Sequence, residues 1–151
     1  MSVADRLLQL GLELPAVVPP VAVYVPAVRT GNLVFTSGQL PMVDGQLHLV
    51  GKVGALVTAE QAKDLARTCA LNGLAAIDAL VGLDSVVRVV KVVGFVASTP
   101  DFTGQPGVVN GASELLGEVF GDAGSHARSA VGVAALPLDA PVEVELVVEV
   151  A

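Results

Sequence analysis

Between Val86 and Val96 the chain has the makings of one long strand with no wet side. One parity holds Val87, Val89, Lys91, Val93 and Phe95. The other holds Arg88, Val90, Val92, Gly94 and Val96. A strand with one solvated face alternates apolar and polar residues, and here both parities are mostly apolar. The pattern therefore predicts a strand covered on both sides. Two long helices are legible elsewhere in the chain, and two helices cover one face of a sheet. The other face is expected to be covered by a second subunit.

The remaining elements follow from caps and periodicity. Ser2 is placed to cap a short helix through Leu10, with Leu7, Leu8 and Leu10 on its apolar side. A Pro-rich stretch, Pro15–Pro20, ends it. Val21–Arg29 and Leu33–Ser37 read as strands joined by the turn Thr30-Gly31-Asn32. Asp44-Gly45 marks a further turn, and Gln46–Val50 reads as a short strand. Thr58 and Gln61 have capping-box spacing. They open a helix with Ala62, Leu65, Ala66, Cys69, Ala76 and Leu80 at helical intervals, stopped by Gly82. Gly73 in its middle is expected to let the helix lie close on a sheet. A second helix spans Val108–Phe120 and stops at Gly121. Arg128–Leu136 and Val142–Val150 are the last strands, with Pro137–Pro141 as the turn between them. The expected order is β-β-β-α-β-α-β-β after the leading helix. Residues 1–151 are read as one domain, with 1–20 as its helix and Pro-rich lead-in.

Composition narrows the function. The apolar set makes up 53% of the 151 residues and charged residues 15%, against about 25% charged in an average domain. The net charge of −7, with eight basic residues in no run, weighs against nucleic acid, whose affinity comes largely from Lys and Arg at phosphates. Proline interrupts the most apolar stretch, so neither a membrane span nor a signal peptide is expected, and the cytoplasm is the expected compartment. Cys69 is the single cysteine. Within its helical pattern it reads as a small core residue, and no disulfide is expected. His48 and His126 are far apart and away from Cys69, so no metal or cofactor site is expected. Both histidines are read as surface or loop residues. His126 stands two residues before Arg128, which allows it a place near a pocket.

The segment from Arg128 to Glu145 carries the chemistry. Arg128 opens a strand whose same-parity neighbours, Ala130, Gly132 and Ala134, are all small. A guanidinium beside small residues has room for a ligand, and its planar fork matches a carboxylate through two parallel hydrogen bonds. Composition alone favours an Arg paired with one of the many carboxylates. In the last strand Val142, Val144, Leu146, Val148 and Val150 share one face, and Glu143, Glu145, Val147 and Glu149 the other. By itself that second face reads as solvated. The two-sided apolar strand makes a carboxylate at a subunit interface the competing reading.

The pattern Arg-Ser-x-Val-x-Val-x-x-Leu-Pro-x-x-x-x-Val-Glu-Val-Glu, from Arg128 to Glu145, resembles the C-terminal signature of the Rid/YjgF family of reactive-intermediate deaminases. Gly31-Asn-Leu-Val-Phe-Thr-Ser-Gly-Gln-Leu-Pro41 is similar to the family's N-terminal strand motif. The segments around Leu71–Leu74 and from Asp101 to Asn110 resemble it as well, so the likeness runs from about Tyr24 to Glu149. The chain departs from it at Ala22-Val23-Tyr24, where the family has Gly-Pro-Tyr, and resembles a divergent branch.

The resemblance implies an α+β, chorismate-mutase-like sheet with two helices packed on one face, in a trimer with a central barrel and pockets between subunits. It implies that Arg128 grips a substrate carboxylate and that Glu143 positions or activates the attacking water. Tyr24, Ser37, Gly38 and Asn110 would line the pocket, with Ser37 offering a hydroxyl or a backbone donor. The implied reaction is hydrolytic deamination of small carboxylate-bearing enamines and imines, 2-aminoacrylate among them, to 2-keto acids and ammonia. That is the activity of a 2-iminobutanoate/2-iminopropanoate deaminase. The alternative is a protein that binds a small carboxylate metabolite in the same pocket without turning it over.

Overall fold

A computed structural model describes residues 1–20 and 22–151. The elements run α1 (Val3–Gln9), β1 (Ala27–Thr30), β2 (Leu33–Thr36), α2 (Ala59–Val81), β3 (Val86–Ala97), α3 (Gln105–Phe120), β4 (Ala127–Val133) and β5 (Val142–Val150). The expected Ser2 cap and Thr58 capping box both form, and Ser2 closes a box with Asp5 as well. Ser2 Oγ accepts from Asp5 N, and Thr58 Oγ1 accepts from Gln61 N while Gln61 Oε1 accepts from Thr58 N. Gly82 and Gly121, both with positive φ, follow α2 and α3 as the expected stops.

Three expectations are corrected. The first strand is shorter than Val21–Arg29: Ala22–Tyr24 is bent and pairing starts only at Ala27, while Val21 lies outside the described residues. Pro26 accounts for part of this, since it brings no N–H to a ladder. Gln46–Val50 forms no strand; its one ladder contact is the bridge Val43↔Gln46 across the Asp44-Gly45 turn. Leu8, placed on the apolar side of α1, is 76% exposed, whereas Leu7 is buried.

The five strands form one sheet in the order β1-β2-β5-β3-β4. β3 runs parallel to β4 and antiparallel to β5, and β5 is antiparallel to β2. Two irregularities in β3 settle its two-sided pattern. The register with β5 slips by one residue between Val86 and Arg88 and again between Val89 and Lys91. Each extra residue reverses the parity that follows it. Val89, Val92, Gly94 and Val96 therefore share the buried face with Val142, Val144, Leu146 and Val148. Strict alternation, which grouped Val89 with Lys91 and Phe95, fails at the second slip.

α2 and α3 cover that buried face. A Cβ at Gly73 in α2 would lie 2.8 Å from Leu146 Cδ1 of β5, and one at Gly94 in β3 would strike Val109 of α3. Glycine at these positions sets how closely helix and sheet approach. α3 packs on α2 just as tightly, with Gly111 against the Lys63 carbonyl. Cys69 is fully buried at this layer, its Sγ 3.8 Å from the Val142 carbonyl, and burial followed by the charge of Glu143 pushes its thiol pKa well up.

Among the described residues no helix packs over the opposite face of the sheet. It carries Lys91, Val93 and Phe95 of β3 opposite Val147, Glu145 and Glu143 of β5. Val28, Phe35 and Val131, whose pairing puts them on this face, are 54%, 40% and 44% exposed. Among the described residues no helix is long and apolar enough to cross a membrane.

Candidate functional site

The candidate residues gather in two groups, one on each face of the sheet. Arg128, near the start of the edge strand β4, pairs with Val92 and so points to the helix-covered side. There its guanidinium meets α3. Nη1 donates to Asn110 Oδ1 at 2.7 Å and to Ser113 Oγ at 3.2 Å, and Nη2 donates to the Pro106 carbonyl at 3.3 Å. All three acceptors are neutral. The ion pairs among the described residues are Lys52–Asp139, Lys63–Glu114 and Arg67–Glu118, and none involves Arg128. A guanidinium has five N–H donors, so at least two remain for a ligand. The competing reading, an arginine neutralised by a carboxylate of its own chain, does not describe this side chain.

Two further groups stand behind the guanidinium: Ser113, which the sequence does not single out, and His126, for which it allows a place near a pocket. Ser113 stands one helical turn after Asn110, on the same face of α3. His126, read as a loop residue, is half-buried and bonds Ser113 through Nε2 at 2.8 Å and the Gly124 carbonyl through Nδ1 at 2.6 Å. The spacings Asn110-x-x-Ser113 and His126-x-Arg128 were the available signals. His48 is exposed, as expected, with Nε2 3.3 Å from the Val43 carbonyl.

The second group is on the open face. Glu143 pairs with Phe95 across β3–β5, and its carboxylate lies against Gly38: a Cβ there would be 2.5 Å from Glu143 Oε2. The chain at Ser37–Gly38 is opened by a slip of its own. Phe35 pairs with Val147, but Gln39 bridges to Val144, so one more residue lies on the β2 side. Thr36 Oγ1 takes the place of a backbone partner by accepting from Leu146 N at 3.0 Å. Ser37 is fixed from both of its donors, Oγ to the Val25 carbonyl at 2.6 Å and N to the Pro26 carbonyl at 2.8 Å. Both donors of Ser37 are thus engaged within the chain, which leaves its hydroxyl lone pairs to face a ligand. Tyr24 and Gly38 line one crevice beneath the Pro-rich lead-in. Burial, which disfavours its charge, and second the like charge of Glu145 push the Glu143 pKa up from its ordinary value.

Within one chain the two groups do not meet. Arg128 is two strands from β5, opposite Leu146 by way of Val92, and Glu143 is three residues further along. Standard sheet spacings put their Cα atoms about 14 Å apart, with the side chains on opposite faces. Arg128 and Asn110 form one half, and Glu143, Gly38, Ser37 and Tyr24 the other.

The family model for YjgF/chorismate mutase-like, putative endoribonuclease, matches residues 4–150. The chain belongs to this family. Protein TCP17 of Trypanosoma cruzi is 47% identical over 149 residues, 97% of this chain and 93% of that one. The YjgF-like fold is shared with a putative endoribonuclease of Shewanella oneidensis at a TM-score of 0.95 and 31% identity, over 99% of this chain and 100% of that one. E. coli TdcF, solved with bound serine, matches at a TM-score of 0.63 and 27% identity, over 91% and 93% of the two chains. The family and the α+β fold are thus those the two sequence motifs implied. Among the described residues no three His, Cys, Asp or Glu side chains gather as metal ligands.

Proposed function

We propose that this YjgF family member hydrolyses small enamines and imines that carry a carboxylate, in a site completed by a second copy of the chain. The observation that carries the proposal is the uncommitted charge of Arg128, held by three neutral acceptors with donors to spare. A small amino-acid carboxylate suits it, and the serine bound to TdcF is a ligand of that class. The two halves of the site lie on opposite sides of the sheet, and the open face carries exposed Val28, Phe35 and Val131. A trimer in which the open face of one copy receives the β4 edge of the next brings Arg128 to the neighbour's Glu143.

The reaction asks for orientation and one proton carrier. 2-Aminoacrylate protonated at its methylene carbon becomes a 2-iminium acid. Arg128 fixes the carboxylate, water adds to the C=N carbon, and Glu143 accepts the proton that water loses. The same carboxyl gives that proton to nitrogen and takes the proton of the adduct's hydroxyl as the C–N bond breaks, so ammonia leaves and a 2-keto acid remains. A carboxylate with a raised pKa exchanges protons more readily near neutrality. The net charge of −7 weighs against a nucleic-acid substrate for this chain.

The test is to generate 2-aminoacrylate in situ and follow pyruvate release. The protein should accelerate it, and Arg128→Ala should lower kcat/KM by about 100-fold or more. No acceleration, or equal acceleration by the variant, overturns the proposal. Pyruvate binding at Arg128 without turnover of any imine would instead identify a carboxylate-binding protein.

A further inference from the structure

A hydrogen-bonded chain of three side chains runs from the backbone to the guanidinium. His126 Nδ1 lies 2.6 Å from the Gly124 carbonyl. A carbonyl only accepts, so Nδ1 carries the proton. In the neutral ring Nε2 is then an acceptor, and the Ser113 hydroxyl, 2.8 Å away, donates to it. With its proton committed, Ser113 Oγ turns a lone pair to Arg128 Nη1 at 3.2 Å. Each bond fixes the direction of the next.

We propose that His126 and Ser113 are positioning residues for carboxylate capture. The imidazole holds the Ser113 hydroxyl so that its oxygen, and not its proton, faces Arg128. Without that hold the hydroxyl is free to rotate and present its proton to a group that only donates. The guanidinium then keeps Asn110 and Pro106 but loses the contact that fixes its plane from the third side. Carboxylate recognition by a planar fork depends on that plane. The arrangement also has the form of a nucleophile and its base. Here, however, the hydroxyl oxygen already accepts from Arg128 Nη1. The assignment rests on the proposed use of Arg128 and concerns residues that do not themselves touch substrate.

The experiment combines nitrogen NMR of the full-length protein with pyruvate binding and imine hydrolysis by variants. His126 is expected as the Nδ1–H tautomer. Ser113→Ala and His126→Asn should weaken pyruvate binding and raise KM by roughly 3- to 10-fold, with kcat held within about twofold. Asn keeps a donor for Gly124 but does not reach Ser113. His126→Gln places an amide where Nε2 stood and should recover most of the loss, which damage to folding alone would not allow. An Nε2–H tautomer overturns the proposal. So do an unchanged KM in Ser113→Ala and a fall confined to kcat. If the wild-type protein binds no pyruvate and hydrolyses no imine, the proposed function fails separately. The positioning role is then decided by relaxation of the Arg128 Nε–H: Ser113→Ala should loosen it, and no loosening overturns the role.

Discussion

The amide oxygen of Asn110 lies 2.7 Å from Nη1 of Arg128 and holds the guanidinium without giving it a negative charge. The distinction decides whether the arginine serves structure or ligand. Asn110→Asp changes the charge and almost nothing else. It should fold with unchanged or slightly higher Tm, since the new carboxylate finds a cation at contact distance. Its affinity for pyruvate should fall by about 10-fold or more, because the ligand must compete with a resident anion. Titration calorimetry of the two proteins checks both statements.

Glu143 gives a prediction in pH. Its folded-state pKa is raised, first by burial and then by Glu145, so the folded protein favours the protonated carboxyl. That contribution to stability is present below the ordinary carboxylate pKa and is lost as pH rises through the raised value. Glu143→Gln should therefore be more stable than the wild type near neutral pH, and the difference should shrink on acidification. As a base, Glu143 works only when ionised, so turnover should rise with pH through the raised pKa. Glu145→Gln removes the smaller of the two causes and should move that limb to lower pH without abolishing it. Melting curves and kcat measured across pH check the two statements.

Gly38 is predicted to be a catalytic rather than a structural requirement. A Cβ there meets Glu143 Oε2 at 2.5 Å, the far end of a flexible side chain, which can swing aside. Gly38→Ala should fold with a Tm close to wild type and lose roughly 10- to 100-fold in kcat, since a misplaced base costs about that much. A large loss of Tm would contradict this.

Gly111→Ala should behave in the opposite way. Its Cβ would strike the Lys63 carbonyl, backbone that cannot yield without parting α2 from α3. A loss of about 1–3 kcal/mol is expected, measured by denaturant unfolding, with any surviving activity near normal per folded molecule.

The sequence made most elements legible because their signals are local. The Thr58–Gln61 capping box, the Gly82 stop and the alternation of Val142–Val150 each depend on a few neighbours. The slips in β3 were not legible, since an extra residue at Val90 is defined only against Val147 and Val148 of another strand. The same holds for the slip at Ser37–Gly38. Arg128 and Glu143 were found through their motif, but their placement on opposite faces follows from strand order. Ser113 was missed because a serine in a helix has no pattern until His126 and Arg128 are brought beside it. Leu8 shows the limit of a short helix, where one turn of periodicity does not separate the buried side from the wet one.

The account turns on two chains sharing one site, and mixing inactive subunits tests this most directly. Arg128→Ala and Glu143→Gln proteins are unfolded together in equal amounts, refolded, and assayed for imine hydrolysis, with light scattering to test for the proposed mass of three times the 15.2 kDa subunit. If Arg128 of one copy serves with Glu143 of the next, about one site in four regains both residues, and activity should return to roughly that fraction of wild type. Activity no greater than that of either variant refolded alone would contradict the shared site.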